Sequence, residues 1–577
     1  MVNDKIVGRD AIMLSIKHVT RLSLVALAVA LSFDLLFWRR NPGISFLVFV
    51  ILCLAGGALV TWWEGFRPAR SSLLLLAPIL FFSTITFVRI EPATLFTSFL
   101  LVLTCMSVLA LTWRGGKWTL YSLSDYVMGF LRLAGSALAR PVLLFFFHPT
   151  DKPAPAKTPA VNPIHESPSP IVVLQSSQDV AIPSTPNTRP VASKITSRRV
   201  LSILRGVLLA VPVIAVLAAL LASADPIFSN NLDAFLRLFR IGNLGEYIFR
   251  GIYIMVGAYL LIGVYLHALG PSHDEELIGL DKPWLRPFLG WTEAAIVLGA
   301  VDMLFAFFVA IQARYFFGGQ ANINTTGFTY AEYARRGFNE LVAVAVISLL
   351  IFLALSSITR REAPVQKRTF TALGVGLVVL VGVILISAYQ RLLLYETVYG
   401  FTRIRTYTHV FMVWVGVLLA ITLVLDLVGR LRGFALAVVL VSLGFGASLS
   451  LLNVDAFIAR ENIARTQAGS DLDGAYLATL TDDAVPALVQ GFTNRGLSQA
   501  QRDQLGAVLA CRAFEYKNNP GDSSWPAFVV SKANARSLIN LHMPELSAYP
   551  VKIYDNRSWQ VMVAGVPQNC FDYSTAD

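Results

Sequence analysis

Long apolar runs recur along this chain, each about long enough to cross a lipid bilayer. A span needs roughly 20 predominantly apolar residues. Eleven stretches read as spans by that rule. Four come early: Val19–Phe37, Gly43–Trp63, Ser71–Val88 and Ala93–Trp113. Seven follow: Val200–Leu221, Ile248–Leu269, Trp291–Gln312, Phe338–Ile358, Phe370–Tyr389, Val410–Val428 and Phe434–Leu452. A soluble chain of 577 residues could not cover the surface that 55% hydrophobic and only 14% charged residues imply. The chain therefore reads as an all-α polytopic membrane protein of about 11 transmembrane helices. A small C-terminal extracytoplasmic α or α+β domain completes it.

The first run reads as a retained span. Its apolar core exceeds the roughly 7–15 residues of a cleavable signal, and FDLLFWRR stands where small residues would be needed. A net charge of +11 would suggest nucleic acid in a soluble protein. Here it reads as cationic flanks that orient helices, with no nucleic-acid partner. The lipid bilayer is the partner that composition demands.

Four regions follow. Residues 1–147 form an N-terminal block of four spans. Its last part, Trp118–Phe147, is apolar but interrupted by Arg132, Arg140 and Pro141, which suits an interfacial amphipathic helix better than a further span. Residues 148–198, with HPTDKPAPAKTPAVNPIHESPSP, are rich in Pro, Ser and Thr and read as an extended or disordered linker. Residues 199–452 hold the seven later spans, and 453–577 a soluble domain. In that domain DLDGAYLATL and SQAQRDQLGAVLACRAFEYK carry helical periodicity. Asp471 and Asp473 read as helix caps, Thr481 and Asp482 as the N-cap of a second helix, and VKIYDNRSWQVMVAGV as a strand or hairpin.

Lysine and arginine in short loops set the orientation. With the N-terminus and linker in the cytoplasm, Lys5, Arg67, Arg70, Arg114, Lys117, Lys194, Lys282, the Arg360–Arg368 cluster, Arg430 and Arg432 all fall inside. Eleven spans then leave the C-terminal domain on the far side. An exported domain with two thiols can close a disulfide between Cys511 and Cys570. Two inert buried thiols are the alternative.

No P-loop, HExxH, CxxC or GxSxG motif occurs, and the seven histidines lack metal-ligand spacing, so no cofactor or metal is expected. Asp302, near the middle of the Trp291–Gln312 span, is the acid that could serve a proton or cation path. A polar contact that fixes helix packing is the plainer reading.

Two outward segments are denser in polar chemistry. QARYFFGGQANINTTGFTYAEYARRGFNELV carries Arg314, Tyr330, Glu332, Tyr333, Arg335, Arg336 and Glu340; AYQRLLLYETVYGFTRIRTYTH carries Arg391, Tyr395, Glu396, Tyr399, Arg403 and Arg405. Every outward basic residue from Asp225 to Leu452 is arginine, the residue suited to bidentate contact with carboxylate or phosphate. Arg391, Tyr395, Tyr399, Arg403 and Tyr407 fall four apart, forming one ridge if the helix is continuous. Gly400 allows a break instead. These residues are candidates for anion binding; an aromatic belt with snorkelling arginines is the alternative.

LASADPIF (Leu221–Phe228), QARYFFGG (Gln312–Gly319), GFTYAEYARRGFNELV (Gly327–Val342), LYETVYGFTRIRTY (Leu394–Tyr407), NVDAFIARENIAR (Asn453–Arg465) and YLATLTDDAVPAL (Tyr476–Leu488) resemble a bacterial family of polytopic membrane proteins. It is catalogued as domain of unknown function 4173, related to 4153. By these motifs the resemblance covers the later spans and the start of the soluble domain, leaving the first four spans and the linker outside. It implies a bacterial cytoplasmic-membrane protein with no established activity, so no catalytic residue carries over. The expected function is a non-enzymatic envelope sensor, scaffold or regulator that binds an envelope protein partner or an anionic ligand. The alternatives are a secondary transporter using Asp302, and an enzyme on a lipid-linked or phosphorylated substrate with Glu332 or Glu396 as base.

Overall fold

The computed structural model describes residues 19–146, 244–271, 287–317, 338–555 and 558–570, with isolated positions between 214 and 228. The linker, most of Val200–Leu221, and the segment carrying Tyr330, Glu332, Tyr333, Arg335 and Arg336 lie outside the described residues. The chain divides into two compact units, one of Met1–Phe145 with Gly257–Asp577 and one of Phe146–Val256. What is described of the second is mainly the first half of a helix, Leu244–Leu269.

The protein is an all-α polytopic membrane protein with a small mixed C-terminal domain. Its early helices are α1 (Val19–Phe37), α2 (Ile44–Glu64), α3 (Leu76–Val88, after a helical turn at Arg70–Leu73), α4 (Pro92–Thr112) and α5 (Leu123–Phe146). The later ones are α6 (Leu244–Leu269), α7 (Trp291–Phe317), α8 (Phe338–Ile358), α9 (Pro364–Tyr399), α10 (Arg403–Leu427) and α11 (Phe434–Leu452). Ten helical segments among the described residues are long and apolar enough to cross a membrane, and α5 is not one of them. Instead α5 lies along the second half of α6, where Ser136 Oγ meets His267 Nδ1 at 2.8 Å and Arg140 donates to the Leu266 carbonyl at 2.6 Å.

Many side chains of these helices stay exposed although apolar, such as Met303 at 75% and Leu304 at 62%. That is the pattern of surfaces solvated by lipid rather than water. Several serines and threonines inside the spans return their hydroxyls to the preceding turn, as Ser348 does to Val344 and Thr422 to Leu418, which keeps those hydroxyls from standing bare in hydrocarbon. Helix α9 packs against α7, α8 and α10, around a core that includes Leu298, Phe352, Phe370, Leu377 and Leu392. Its 36 residues run about 54 Å, well beyond the ~30 Å of hydrocarbon. The expected span Phe370–Tyr389 is therefore only its middle. Pro364 at the first turn, with Gln366 Oε1 accepting from the Glu362 and Ala363 amides, starts it earlier.

The C-terminal domain follows α11 after Asn453, at φ +52°. It comprises α12 (Val454–Gln467), α13 (Gly474–Ala478), α14 (Val485–Phe492), α15 (Gln499–Asn518), α16 (Val530–Leu541) and α17 (Met543–Leu546). A three-stranded antiparallel meander closes it: β1 (Val551–Asp555), β2 (Ser558–Val563) and β3 (Val566–Asn569). Val551 pairs with Val561, and Val561 with Gln568. Asp473 caps as expected, accepting from the Tyr476 amide, and the structure adds a capping box of Ser498 with Gln501 on α15. Thr481 does not cap; its hydroxyl is used elsewhere, as described below. Cys511 on α15 is bonded to Cys570 after β3, with Cα atoms 5.7 Å apart, pinning the sheet to the helix beside Val561 and Val563.

The domain core does not stop at the domain. Ile458, Ile463, Leu488 and Leu505 form one cluster with Leu449 of α11, and Phe401 and Tyr407 pack against it. The domain is thus seated on one end of the bundle.

Candidate functional site

The seat is built from turns between helices. Gly400 ends α9 at φ +81° and breaks the ridge, leaving Arg391, Tyr395 and Tyr399 on α9 and Arg403 and Tyr407 on α10. Helix α12 closes over this turn. Asn462 Oδ1 accepts from the Phe401 amide at 2.8 Å and its Nδ2 donates to the Phe401 carbonyl at 2.9 Å. Arg465 donates to the carbonyls of Thr397 and Val398 at 2.8 and 3.1 Å, serving groups that the end of α9 leaves open. A Cβ on Gly400 would stand 2.6 Å from Arg465 Nη1 and 2.7 Å from Asn462 Oδ1. Only glycine fits.

Arg403 is the centre of the seat. Its Nε donates to Asp455 Oδ1 at 2.8 Å and its Nη2 to Oδ2 at 2.7 Å, with a further bond to the Thr479 carbonyl at 3.1 Å. Asp455 is fully buried; its Oδ2 also accepts from the amide and hydroxyl of Thr481, each at 2.7 Å. The Arg403 amide donates to the Tyr476 hydroxyl at 2.8 Å. The guanidinium fork is therefore filled by a carboxylate of the protein itself, and no place remains there for an external anion. Arg405 lies 4.1 Å from the centre of the Tyr395 ring and donates to the Gly400 carbonyl. The Tyr395 and Tyr399 rings meet at a tilt of 57°, their centroids 4.8 Å apart.

Two more turns join the seat. Tyr407 donates to Glu91, which at the start of α4 accepts from the Ala93 and Thr94 amides at 2.9 and 2.7 Å. Asp483 accepts from the amides of Ile90 and Glu91 at 2.9 and 3.1 Å, with Arg89 at 3.6 Å. Burial holds the Asp483 carboxyl above its ordinary range, against those amides and Arg89, which pull it down. At the α1–α2 turn the Ile44 amide donates to the Phe528 carbonyl at 3.0 Å. So the α1–α2, α3–α4 and α9–α10 turns all meet the domain.

Asp302 lies apart from this seat. Its Oδ1 has no hydrogen-bond partner among the described residues, and its Oδ2 lies 3.3 Å from where a Cβ on Gly376 of α9 would sit. Further along α9, Ser387 donates to Gln312 at 3.0 Å, and fully buried Glu396 faces His409 Nδ1 at 3.3 Å. The His409 ring lies 4.5 Å from that of Tyr389.

Sequence reasoning selected Arg403 but missed what it faces. Asp455, Glu91 and Asp483 carry no local signal in the sequence that marks them as part of the seat. Nothing local in the text says that residues 52 and 316 positions apart from their partners will meet.

Neither a curated protein nor a solved structure matches the chain. One family model does, over residues 76–491, from the start of α3 to the end of α14. The match takes in α3 and α4, so the boundary drawn from the motifs, which left all four early spans outside, moves toward the N-terminus. Since the model matches most of the chain, this protein belongs to the family described as domain of unknown function (DUF4153).

Proposed function

We propose that this is a non-enzymatic protein of the bacterial cytoplasmic membrane that senses, scaffolds or regulates at the cell envelope. Its domain 453–577 lies on the far side; its N-terminus and linker 148–198 are cytoplasmic. The observation that carries the reading is the buried Arg403–Asp455 pair at the seat. It commits the best anion-binding arginine to holding a soluble domain against helix turns, so an event on the domain is felt by the bundle. Arg391 and Arg405, with Tyr395 and Tyr399, flank that seat as a rim. An envelope protein or an anionic ligand is the partner such a rim suits. The motifs at Gly327–Val342 and Leu394–Tyr407 support placing the chain in the related group 4173.

Thiol labelling of intact cells tests the arrangement. A membrane-impermeant reagent should modify Ser470→Cys and spare Ser167→Cys until the cells are opened. Labelling of Ser167→Cys in intact cells would sink the topology and the function with it.

A second reading, a secondary transporter, draws on Asp302 of α7, beside Gly376 of α9, and on the contact of Glu396 of α9 with His409 of α10. Buried ionisable groups inside a bundle are costly, by about 2.5–3.5 kcal/mol at mid-span on insertion scales, and mark pathways by default. In proteoliposomes with a trapped pH dye, Asp302→Asn should abolish any ion-driven proton movement; an unchanged signal removes this reading. The enzymatic alternative needs Arg335 and Arg336 to join Arg403, whose fork is already filled.

A further inference from the structure

Beside the Arg403 seat, and sharing Ile90, Thr479 and Thr481 with it, the domain and the bundle line a cleft of about 430 Å³, within the roughly 300–1,000 Å³ of small-molecule sites. One side is the domain: α15 with Arg512, Glu515 and Tyr516, Lys532 of α16, and Trp559 of β2. The other is the bundle, through Asn41 at the α1–α2 turn and Ile90 at the α3–α4 turn.

The charges in this cleft are of two kinds. Arg512 is spent: it donates to Asp482 Oδ1 at 2.7 Å and to the carbonyls of Ala478 and Leu480 at 3.0 and 2.6 Å. That pair is internally neutral and leaves the guanidinium no free face for a ligand. Lys532 and Glu515 are different. Neither makes an ion pair or side-chain hydrogen bond among the described residues, although both line the same cleft. The Lys532 ammonium is tucked against the Gly521 turn, 3.1 Å from where a Cβ would stand, at a residue with φ +64°. A side chain there would displace it. The cleft thus presents one unspent cation and one unspent anion that do not neutralise each other. Asn41 and Asn519 add amides between apolar and aromatic walls.

A ligand that satisfies both charges at once must itself carry both. An unbranched zwitterion with amide groups between its ends answers every feature. Two or three residues of extended peptide put the termini at most about 7–11 Å apart. We propose that this cleft binds a peptide of two or three residues with free termini, its ammonium on Glu515 and its carboxylate on Lys532. The ligand would touch domain and bundle together, which names the ligand class for the regulatory reading above and rests on it only for the consequence of binding.

The test is calorimetric titration of the full chain in lipid nanodiscs with tri-alanine. Tri-alanine should bind, and acetylating its amine or amidating its carboxylate should each weaken binding at least tenfold. Lys532→Ala should weaken free tri-alanine to the level of the amidated form and leave the amidated form unchanged. Glu515→Gln should do the same for the acetylated form. This matching of variant to end group separates recognition from loss of fold. Absence of binding, equal binding of blocked and free peptides, or variants that bind as the parent does would each overturn the proposal. So would full competition by inorganic phosphate, which would make this a plain anion site. If tri-alanine binds as expected but hydrogen exchange at the α9–α10 turn does not change, the site stands and the regulatory reading fails.

Discussion

Replacing Asp455 by leucine tests whether the seat holds the domain. The side chain is fully buried and accepts four hydrogen bonds, two from Arg403 and two from Thr481. Arg403 is itself mostly buried, its side chain 21% exposed, so the substitution strands a guanidinium that water reaches poorly. Breaking such a pair from one side costs about 3–5 kcal/mol, most of it the penalty of the charge left behind. At about 1.4 kcal/mol per factor of ten, local opening of the seat should become roughly 10²–10³·⁵ times more frequent. Hydrogen exchange reads this directly at the Phe401 and Arg403 amides, whose acceptors Asn462 and Tyr476 belong to the domain. Amides in the middle of α8 and α9 should keep their protection. Pairing the change with Arg403→Met should restore much of the loss, because two apolar groups then face each other. A single variant that costs less than about 1 kcal/mol, the yield of an exposed pair, would refute the latch. So would a double variant no better than the single one.

Three further outcomes follow from the same geometry. Changing Cys511 and Cys570 together to serine opens a loop with a sequence separation of 59; the chain-entropy relation gives a loss of about 4 kcal/mol, read as a lowered unfolding midpoint of the domain that a reducing agent reproduces in the parent. Gly400→Ala should destabilise by more than about 1 kcal/mol, since it meets both a left-handed φ and the Arg465 and Asn462 side chains; an unchanged midpoint would mean that α12 does not close on the turn. Asp483 supplies a pH dependence. Its folded carboxyl holds its proton to higher pH than the unfolded one, because burial raises it above the ordinary value of 3.8. Stability from this group is therefore present at low pH and declines as pH climbs past that value. Asp483→Asn should melt above the parent at pH 7, with the gap closing toward pH 4; a gap that widens on acidification would reverse the assignment.

The membrane architecture was legible because lipid imposes a length and a composition on every span, and both are local properties of the text. Helix ends were less so. The Phe370–Tyr389 run marks only the part of α9 that is apolar; its continuation to Tyr399 is held by carbonyl contacts from Arg465, which lies 68 residues away from Thr397. The four-residue spacing of arginines and tyrosines gave the correct period and left open whether the helix continued through Gly400. What decided it was α12, whose Asn462 and Arg465 occupy the space a side chain at that position would need. A sequence displays periodicity within an element, but not which distant element fills the gap at its end.

The excess of arginine over lysine at this end of the chain can be argued from the contacts themselves. Each well-placed example uses the shape of the guanidinium rather than its charge alone. Arg403 binds both oxygens of one carboxylate, Arg465 spans two successive helix carbonyls, Arg512 joins a carboxylate to two carbonyls, and Arg405 lies over a tyrosine ring. Lysine, a compact ammonium, has no planar fork for the first three and no flat face for the fourth. Arg403, which reads in the sequence as part of a receptor for an external anion, is a fastening between domain and bundle. The unspent charges lie elsewhere, on Lys532 and Glu515, in the cleft that the same fastening closes.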